Sequence, residues 1–253
     1  MGNYSKKYLS HIYLTVLILG MSGSALYAQE EFQEARMQMV DEIQEMVRDT
    51  REYLGKSSLN ERVIQVIAKV PRHEFVPATL RPAAYENRPL PIGDDQTISQ
   101  PYIVALMTDL ADIQPDAQVL EVGTGSGYQA AILAELGAHV YTIEIIESLG
   151  EQARATLARL GYQNVSVRIG DGYHGWAEHA PFDAILVTAA PEQVPQPLIE
   201  QLKPGGKLII PVGSPFRTQS LRVLEKHANG SIHTRDVLPV GFVPLTRDNT
   251  QHD

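Results

Sequence analysis

The sequence predicts an α/β fold with a doubly wound, mostly parallel sheet of seven strands. The first observation is the alternation, after Pro115, of short β-rich runs with helical patterns, which is typical of a parallel sheet covered on both faces. The second is the length of 253 residues with 43% hydrophobic content, enough to bury the core of one α/β domain. We therefore expect a single domain over residues 29–253, preceded by a distinct segment over residues 1–28.

Residues 1–28 have the layout of a secretory signal peptide. Lys6 and Lys7 precede an apolar run over residues 12–21, and small residues follow up to Ala28. The apolar run is too short to span a bilayer comfortably. The alternative interpretation is a disordered or mis-assigned start, the latter with Met37 or Met39 as the true first residue.

Two helices and a long loop are predicted before the alternating region. Apolar residues recur at helical spacing from Phe32 to Tyr53 and indicate an amphipathic helix. Ser58 and Glu61 form a capping-box pattern ahead of a second helix, which ends at Pro71. Prolines punctuate the stretch from Pro71 to Pro101, which we interpret as a long shaped loop of the kind that often carries function.

Seven strands are predicted after this loop. Gly137 and Gly161 stand where helices should end, and the turn at residues 229–231 joins two strands into a hairpin at the sheet edge. A helix is expected from Tyr128 to Leu136. The predicted strands are Val119–Val122, Val140–Glu144, Val165–Ile169, Ala184–Thr188, Lys207–Pro211, Leu221–Glu225 and Val237–Val240.

Composition excludes several classes of function. The net charge of -9 and the pI of about 5.4 leave no broad positive field to hold a phosphate backbone, so nucleic acid is not an expected partner. The absence of cysteine excludes disulfides, thiolate zinc sites and cysteine nucleophiles.

A glycine-rich turn between a strand and a helix is the strongest local signal. Gly123, Gly125 and Gly127 follow the first strand of the alternating region and allow a ligand to approach the backbone closely. A dinucleotide fingerprint requires glycine where Tyr128 stands, so the spacing favours a nucleoside with a charged tail over NAD. The alternative is that these glycines serve only a tight turn.

Three acidic residues lie at the ends of successive predicted strands. Glu144 lies about twenty residues after the glycines, where a carboxylate can accept hydrogen bonds from ribose hydroxyls. Asp171, followed by Gly172, is placed to accept from an adenine amino group, and Glu121 suits a cationic part of the ligand. Each acid alone could be a solvated surface charge, but three at successive strand ends favour a binding site.

Over residues 39–245 the sequence resembles the protein-L-isoaspartate (D-aspartate) O-methyltransferase family. The run Gln96–Pro101, which reads Gln-Thr-Ile-Ser-Gln-Pro, is specific to this family, whereas many methyltransferases share the glycine turn. The other motifs that carry the resemblance are Val70–Pro77, Leu90–Gly93, Glu121–Tyr128, Gly170–Gly172 and Leu202–Gly206.

The resemblance implies a class I S-adenosylmethionine-dependent methyltransferase fold, in a cytoplasmic, monomeric enzyme. It implies that S-adenosylmethionine donates a methyl group to the free carboxylate of L-isoaspartyl, and also D-aspartyl, residues in damaged peptides and proteins, starting repair through a succinimide. Ser99 is the implied active-site hydroxyl, and the segment Phe242–Leu245 resembles the family's piece near the peptide acceptor. The residues expected to line the cofactor are Glu121, Gly123, Gly125, Gly127, Glu144, Asp171 and Gly172.

Two positions depart from the family pattern. Asp95 stands where relatives usually have glycine, and Asn87 stands where aspartate is common. Asp95 adds negative charge near a site that must accept a carboxylate, which puts acceptor affinity in doubt.

Methyl transfer to a carboxylate needs no strong general base, because the acceptor is already ionised near neutral pH. We therefore expect Ser99 to orient the acceptor and not to act as a covalent nucleophile. His174, Glu178 and His179 could suggest a metal, but they lie in one loop without an evident fourth ligand, so no metal is expected.

Two rival functions stay open from the sequence. One is a methyltransferase on the same sheet that acts on a small molecule, and the other is an exported binding protein that has kept the fold without using the cofactor. For the compartment, the supply of S-adenosylmethionine favours the cytoplasm, whereas residues 1–28 favour export. No stable membrane association is expected after processing.

Overall fold

The computed structural model describes residues 32–214 and 217–248, so the signal-like segment 1–28 lies outside the described residues. The first helix, α1, spans residues 32–49, and α2 follows after Thr50, so the single predicted helix is interrupted there. Within the described ranges, none of the helices has the length and apolar character needed to cross a membrane. The other helices are α2 Arg51–Leu54, α3 Glu61–Lys69, α4 Pro101–Ala111, α5 Tyr128–Glu135, α6 Glu147–Arg159 and α7 Gln196–Glu200.

A seven-stranded sheet forms the centre, in the order β5-β4-β3-β6-β7-β8-β9. The five strands from β5 to β7 are parallel, and β8 and β9 add antiparallel strands at one edge, which confirms the predicted doubly wound α/β class. The strands of this sheet are β3 Gln118–Val122, β4 His139–Glu144, β5 Val165–Ile169, β6 Phe182–Val187, β7 Leu202–Val212, β8 Gln219–Lys226 and β9 Ile232–Val240.

The two faces of the sheet bury separate hydrophobic clusters. Successive residues of a strand point to opposite faces, so Leu186 joins the larger cluster whereas Ile185 and Val187 join the smaller one. The larger cluster includes residues of α1, α3, α4 and α5, and the smaller one includes Leu198 of α7. Full burial of each such aliphatic side chain contributes about 1.5–3 kcal/mol, so the sheet is a rigid base for the loops at its ends.

The region predicted as a long loop contains regular structure. Strands β1 (Leu90–Gly93) and β2 (Gln96–Ile98) form an antiparallel hairpin, preceded by two short 3₁₀ helices, so the loop interpretation of residues 71–101 was incomplete. The predicted capping box was wrong: α3 begins at Glu61, and the Asn60 side chain caps it by accepting from the Arg62 backbone N–H at 2.9 Å.

The predicted ends of two central helices agree with the structure. Gly137 and Gly161 follow α5 and α6 with positive φ values of 89° and 86°. A left-handed residue at this position ends a helix with little strain when it is glycine. Each helix therefore stops where the chain must turn back into the next strand.

Candidate active site

A cleft lies at the carboxyl edge of the sheet, where the strand order reverses between β3 and β6. Ligands of open α/β sheets bind at such a reversal, because the loops from the two neighbouring strands separate there. The described residues that line the cleft come from β2, from the carboxyl ends of β3 and β4, from the loops that follow β5 and β6, from α4 and the start of α5, and from residues 243–246. They include five predicted cofactor residues and Ser99: Ser99, Glu121, Gly123, Gly125, Glu144 and Gly172.

Glu144 holds the glycine turn in shape. Its side chain is 6% exposed, and its two carboxylate oxygens accept from the backbone N–H groups of Gly125 at 2.8 Å and Ile146 at 3.0 Å. An ionised carboxylate offers about four lone-pair positions, so both oxygens can still accept from a ligand hydroxyl. The carboxylate predicted to hold a ribose therefore also fixes the turn beneath it.

The close approach of β3 and β6 requires glycine at position 123. A Cβ atom there would lie 2.5 Å from Oγ1 of Thr188, whose hydroxyl donates to the Gly123 carbonyl at 2.6 Å. Gly125 has a φ of 51° and Gly127 a φ of 86°, and Gly127 precedes the first residue of α5. Gly123 and Gly125 therefore leave the floor of the cleft as bare backbone, whereas Gly127 is not among the lining residues, and a Cβ atom there would lie 3.2 Å from Cδ1 of Leu157.

Glu121 is a fully buried acid with one unsatisfied oxygen. Its Oε2 accepts from the Thr142 hydroxyl at 2.6 Å, and its Oε1 has no hydrogen-bond partner among the described residues. The pKa of Glu121 is raised to about 8, mainly by burial; the Thr142 hydrogen bond lowers it and the nearby Glu144 carboxylate raises it. An orphaned carboxylate oxygen at the floor of a cleft fits a cationic ligand group such as an ammonium or sulfonium.

Asp171 and Gly172 follow β5 but have different surroundings. Gly172 lines the cleft, and a Cβ atom at this position would lie 2.5 Å from Cγ1 of Val122. The Asp171 carboxylate is not among the lining groups and accepts from the Tyr173 backbone N–H and from Arg247 Nε, both at 2.9 Å. Burial alone would raise the pKa of Asp171, but these hydrogen bonds lower it.

The C-terminal segment covers one side of the cleft. Residues 243–246 line it, and this segment is held by hydrogen bonds from Ala190 N–H to the Val243 carbonyl at 2.8 Å and from Leu245 N–H to the Ala190 carbonyl at 3.0 Å. The Arg247 guanidinium lies 3.5 Å from the centre of the Tyr173 ring. Sequence reasoning missed Arg247, because its contact with Asp171 joins residues 76 positions apart.

A second cleft adjoins the first at Ser99. It is lined by residues of α1, α4 and β9 and by residues 241–243, which include part of the predicted acceptor segment. Four residues line both clefts, and they are Thr97, Ser99, Thr188 and Val243. Ser99 therefore lies where a ligand in one cleft would meet a ligand in the other.

The two departures from the family pattern lie outside the lining of both clefts. Asp95 is exposed in the turn between β1 and β2 and has a φ of 56°, the left-handed conformation that favours glycine. Asn87 uses its side-chain oxygen to accept from the Tyr102 backbone N–H at 3.0 Å, near the start of α4. An aspartate could accept the same hydrogen bond, so this departure preserves the local contact.

The three side chains that could suggest a metal site, those of His174, Glu178 and His179, contact different partners. His174 lies 3.9 Å from Asp171, Glu178 pairs with Arg168 at 3.4 Å, and His179 stacks on Tyr141 at 4.1 Å between ring centres. In the part of the chain that is described, no cluster of three or more His, Asp or Glu side chains has an arrangement suited to a metal ion. Trp176 and Phe182 pack edge-to-face against the same Tyr141.

Comparison with known proteins gives the same family from sequence and from structure. The family model "Protein-L-isoaspartate(D-aspartate) O-methyltransferase (PCMT)" matches residues 41–250. A protein named protein-L-isoaspartate O-methyltransferase 2 from a Polaromonas species is 65% identical over 208 residues, which cover 82% of this chain and 99% of the relative. Its namesake from Syntrophobacter fumaroxidans is 60% identical over 92% of this chain and 96% of the relative.

Solved structures agree in fold. A protein-L-isoaspartate O-methyltransferase superposes with a TM-score of 0.69 at 27% identity, covering 81% of this chain, and this chain spans 65% of that structure's length. A β-aspartate methyltransferase from Plasmodium falciparum, in complex with S-adenosyl-L-homocysteine, also has a TM-score of 0.69, at 24% identity over 84% of this chain and 99% of that structure. At 24% identity, the similarity to the Plasmodium falciparum structure supports the fold alone.

Proposed function

This chain belongs to the protein-L-isoaspartate(D-aspartate) O-methyltransferase family, and from this premise we propose that it methylates isoaspartyl residues of damaged proteins. The methyl donor is S-adenosylmethionine, and the acceptor is the free carboxylate of an L-isoaspartyl, or also a D-aspartyl, residue. The resulting ester is attacked by the neighbouring backbone nitrogen to give a succinimide, whose hydrolysis returns part of the material to normal aspartate.

The residues of the first cleft suit the donor. The Glu144 carboxylate accepts hydrogen bonds from the ribose hydroxyls, and the unpartnered Oε1 of Glu121 faces the cationic part of the cofactor. The Asp171 carboxylate accepts a hydrogen bond from the adenine amino group while it also accepts one from Arg247. The backbone that the cofactor approaches belongs to Gly123, Gly125 and Gly172, and Gly127 completes the turn just before α5.

The meeting of the two clefts at Ser99 is the observation that supports methyl transfer best. S-adenosylmethionine supplies an electrophilic methyl group on a sulfonium. The acceptor oxygen forms the new C–O bond as the S–CH₃ bond breaks, so an anion and a cation give two neutral products. In this arrangement Ser99 orients the acceptor, and alignment of this kind can contribute on the order of 7–11 kcal/mol in favourable cases.

The test is acceptor selectivity. The purified protein should methylate a peptide that contains isoaspartate and leave the same peptide with normal aspartate essentially untouched, because the isopeptide link moves the free carboxylate onto the α-carbon. Ser99→Ala should lower turnover with cofactor affinity near wild type, whereas the exposed loop variant Ser58→Ala should keep both. Equal methylation of both peptides, or strong activity only on a small metabolite, would overturn the assignment.

We further propose a cytoplasmic monomer with one methyltransferase domain over residues 29–253, no resident metal and no stable membrane association. The cytosolic supply of the methyl donor supports this compartment, and the signal-like residues 1–28 support export as the alternative. N-terminal sequencing of the natural protein from separated cell fractions decides between them. A mature start near residue 29 in an exported fraction would refute the cytoplasmic proposal.

A further inference from the structure

Arg72 is a buried arginine directly behind the wall of the active-site cleft. It lies at the start of the first 3₁₀ helix, is 0% exposed and does not itself line either cleft. Two residues that do line the first cleft are in contact with Arg72. Its Nη2 donates to the Ser99 carbonyl at 2.9 Å, and its guanidinium carbon lies 4.9 Å from the centre of the Tyr128 ring.

The guanidinium ties the loop of Ser99 to the rest of the domain. Ser99 follows β2 and precedes α4, and nothing in the strand pairing of β2 extends to this residue. Arg72 bridges it to the residue that follows the second 3₁₀ helix, because its Nε donates to the Ala84 carbonyl at 2.8 Å. Two charge-assisted hydrogen bonds from one planar group therefore fix the Ser99 backbone.

The charge of Arg72 has no anionic partner in the described part of the chain. Its Nη1 is buried without a hydrogen-bond partner among the described residues. Burial lowers the pKa of Arg72 to about 10, so the guanidinium remains charged at neutral pH. An uncompensated buried cation is costly to a fold, which favours an anion that arrives with a ligand.

We propose that Arg72 is a positioning residue for the acceptor: it fixes Ser99 through the backbone and stabilises the acceptor carboxylate by its charge. The proposal rests on the proposed function, since it requires an anionic acceptor at Ser99. The reaction converts that anion into a neutral ester, so a nearby positive charge stabilises the bound acceptor more than the transition state. Loss of the charge should therefore raise KM for the peptide, and loss of the tether to Ser99 should lower kcat.

Arg72→Gln and Arg72→Met separate these effects. Both remove the charge, and the amide of glutamine retains a donor that methionine lacks. The readout is competition by two peptides, one with isoaspartate and one in which a carboxamide replaces the isoaspartyl carboxylate. In both variants the preference for the carboxylate should fall by about tenfold or more, the scale of one charge interaction in a partly screened site, and kcat should fall further in Arg72→Met.

Arg36→Met is the matched control. Arg36 also donates to two backbone carbonyls, those of Ala68 and Lys69, and lies 5.3 Å from the centre of a tyrosine ring, but it lines neither cleft. This variant should lose thermal stability and keep the wild-type preference for the carboxylate. If the Arg72 variants also lose stability while keeping that preference, Arg72 is structural only and the proposal is overturned.

If neither Arg72 variant folds, a salt titration of the wild-type protein tests the proposal. A buried charge is screened little by salt, so the preference for the carboxylate should be nearly constant between about 0.05 and 0.5 M NaCl. A preference that falls steeply with salt would assign it to exposed cations and overturn the proposal. Failure of the wild type to methylate any isoaspartyl peptide would instead refute the proposed function, before any variant is compared.

Discussion

Replacing Glu121 by glutamine should stabilise the ligand-free protein at neutral pH and destabilise it in acid. Burial raises the pKa of this carboxyl from an ordinary 4.5 to about 8. Between these two pKa values the folded protein holds a proton that the unfolded chain releases. The stability that this proton supplies is lost as the pH rises from the pKa of the unfolded state to the pKa of the folded state. Glutamine has the same shape and cannot ionise, so it escapes this loss.

The magnitude follows from the two pKa values. Relative to strong acid, the loss of stability caused by Glu121 is about 1 kcal/mol near pH 5 and about 4 kcal/mol near pH 7.5. The glutamine variant escapes this loss but has a cost of its own. Its amide oxygen can accept from Thr142 as Oε2 now does. Its N–H₂ group, however, is buried without a partner, which costs about 1–3 kcal/mol at either pH. The net change is stabilisation of about 1–3 kcal/mol near pH 7.5 and none, or destabilisation, near pH 5.

Urea unfolding of ligand-free wild type and Glu121→Gln near pH 5 and pH 7.5 measures this change. The cost of the buried amide is the same at both pH values and cancels, so the difference in unfolding free energy between variant and wild type should shift by about 3 kcal/mol. The exposed Glu52→Gln is the control and should show no comparable shift. An equal difference at both pH values would refute the burial argument for Glu121.

Three further predictions concern the cofactor cleft. Gly125→Val should abolish S-adenosylmethionine binding in a folded protein, because a branched side chain would stand at a φ of 51° in the cleft floor; measurable calorimetric affinity would contradict it. Glu144→Ala should weaken cofactor binding by roughly 1.5–3 kcal/mol and change kcat less, whereas unchanged affinity would remove its ribose role. Arg247→Ala should speed S-adenosylhomocysteine dissociation several-fold in stopped-flow displacement, since it removes the ion pair between the covering segment and Asp171; an unchanged rate would show that this ion pair does not help to hold the ligand.

The parallel strands could be predicted from sequence because each is a short apolar run between turn residues. Val165–Ile169 was predicted with its observed bounds, and each of the other predicted strands overlaps an observed one, although β9 begins at Ile232, five residues before its predicted start. Helix α4 gave no such signal. Eight of its eleven residues are buried, so its sequence has no polar face and no clear helical period, although Pro101 at its first position is a typical start.

The site could be predicted only where it is local in sequence. The glycine turn and the carboxylates at strand ends are visible in the sequence because the fold places every strand end at the same edge. Contacts between distant segments are not visible. The Ser99 loop is fixed by Arg72 across 27 positions, and the hydrogen bond from Gly125 to Glu144 spans 19.

Two buried groups with unsatisfied polar atoms lie on either side of the proposed reaction. Oε1 of Glu121 is orphaned at the floor of the donor cleft, and Nη1 of Arg72 is orphaned behind Ser99, where the acceptor is expected. In the proposed function the donor is a cation and the acceptor an anion, so each orphan matches the charge of the ligand on its own side. Both ligand charges disappear when the methyl group moves, so the charge of Arg72 is again uncompensated and Glu121, with its pKa of about 8, again takes up a proton near neutral pH. The same two residues that favour binding of the charged reactants should therefore disfavour retention of the neutral products.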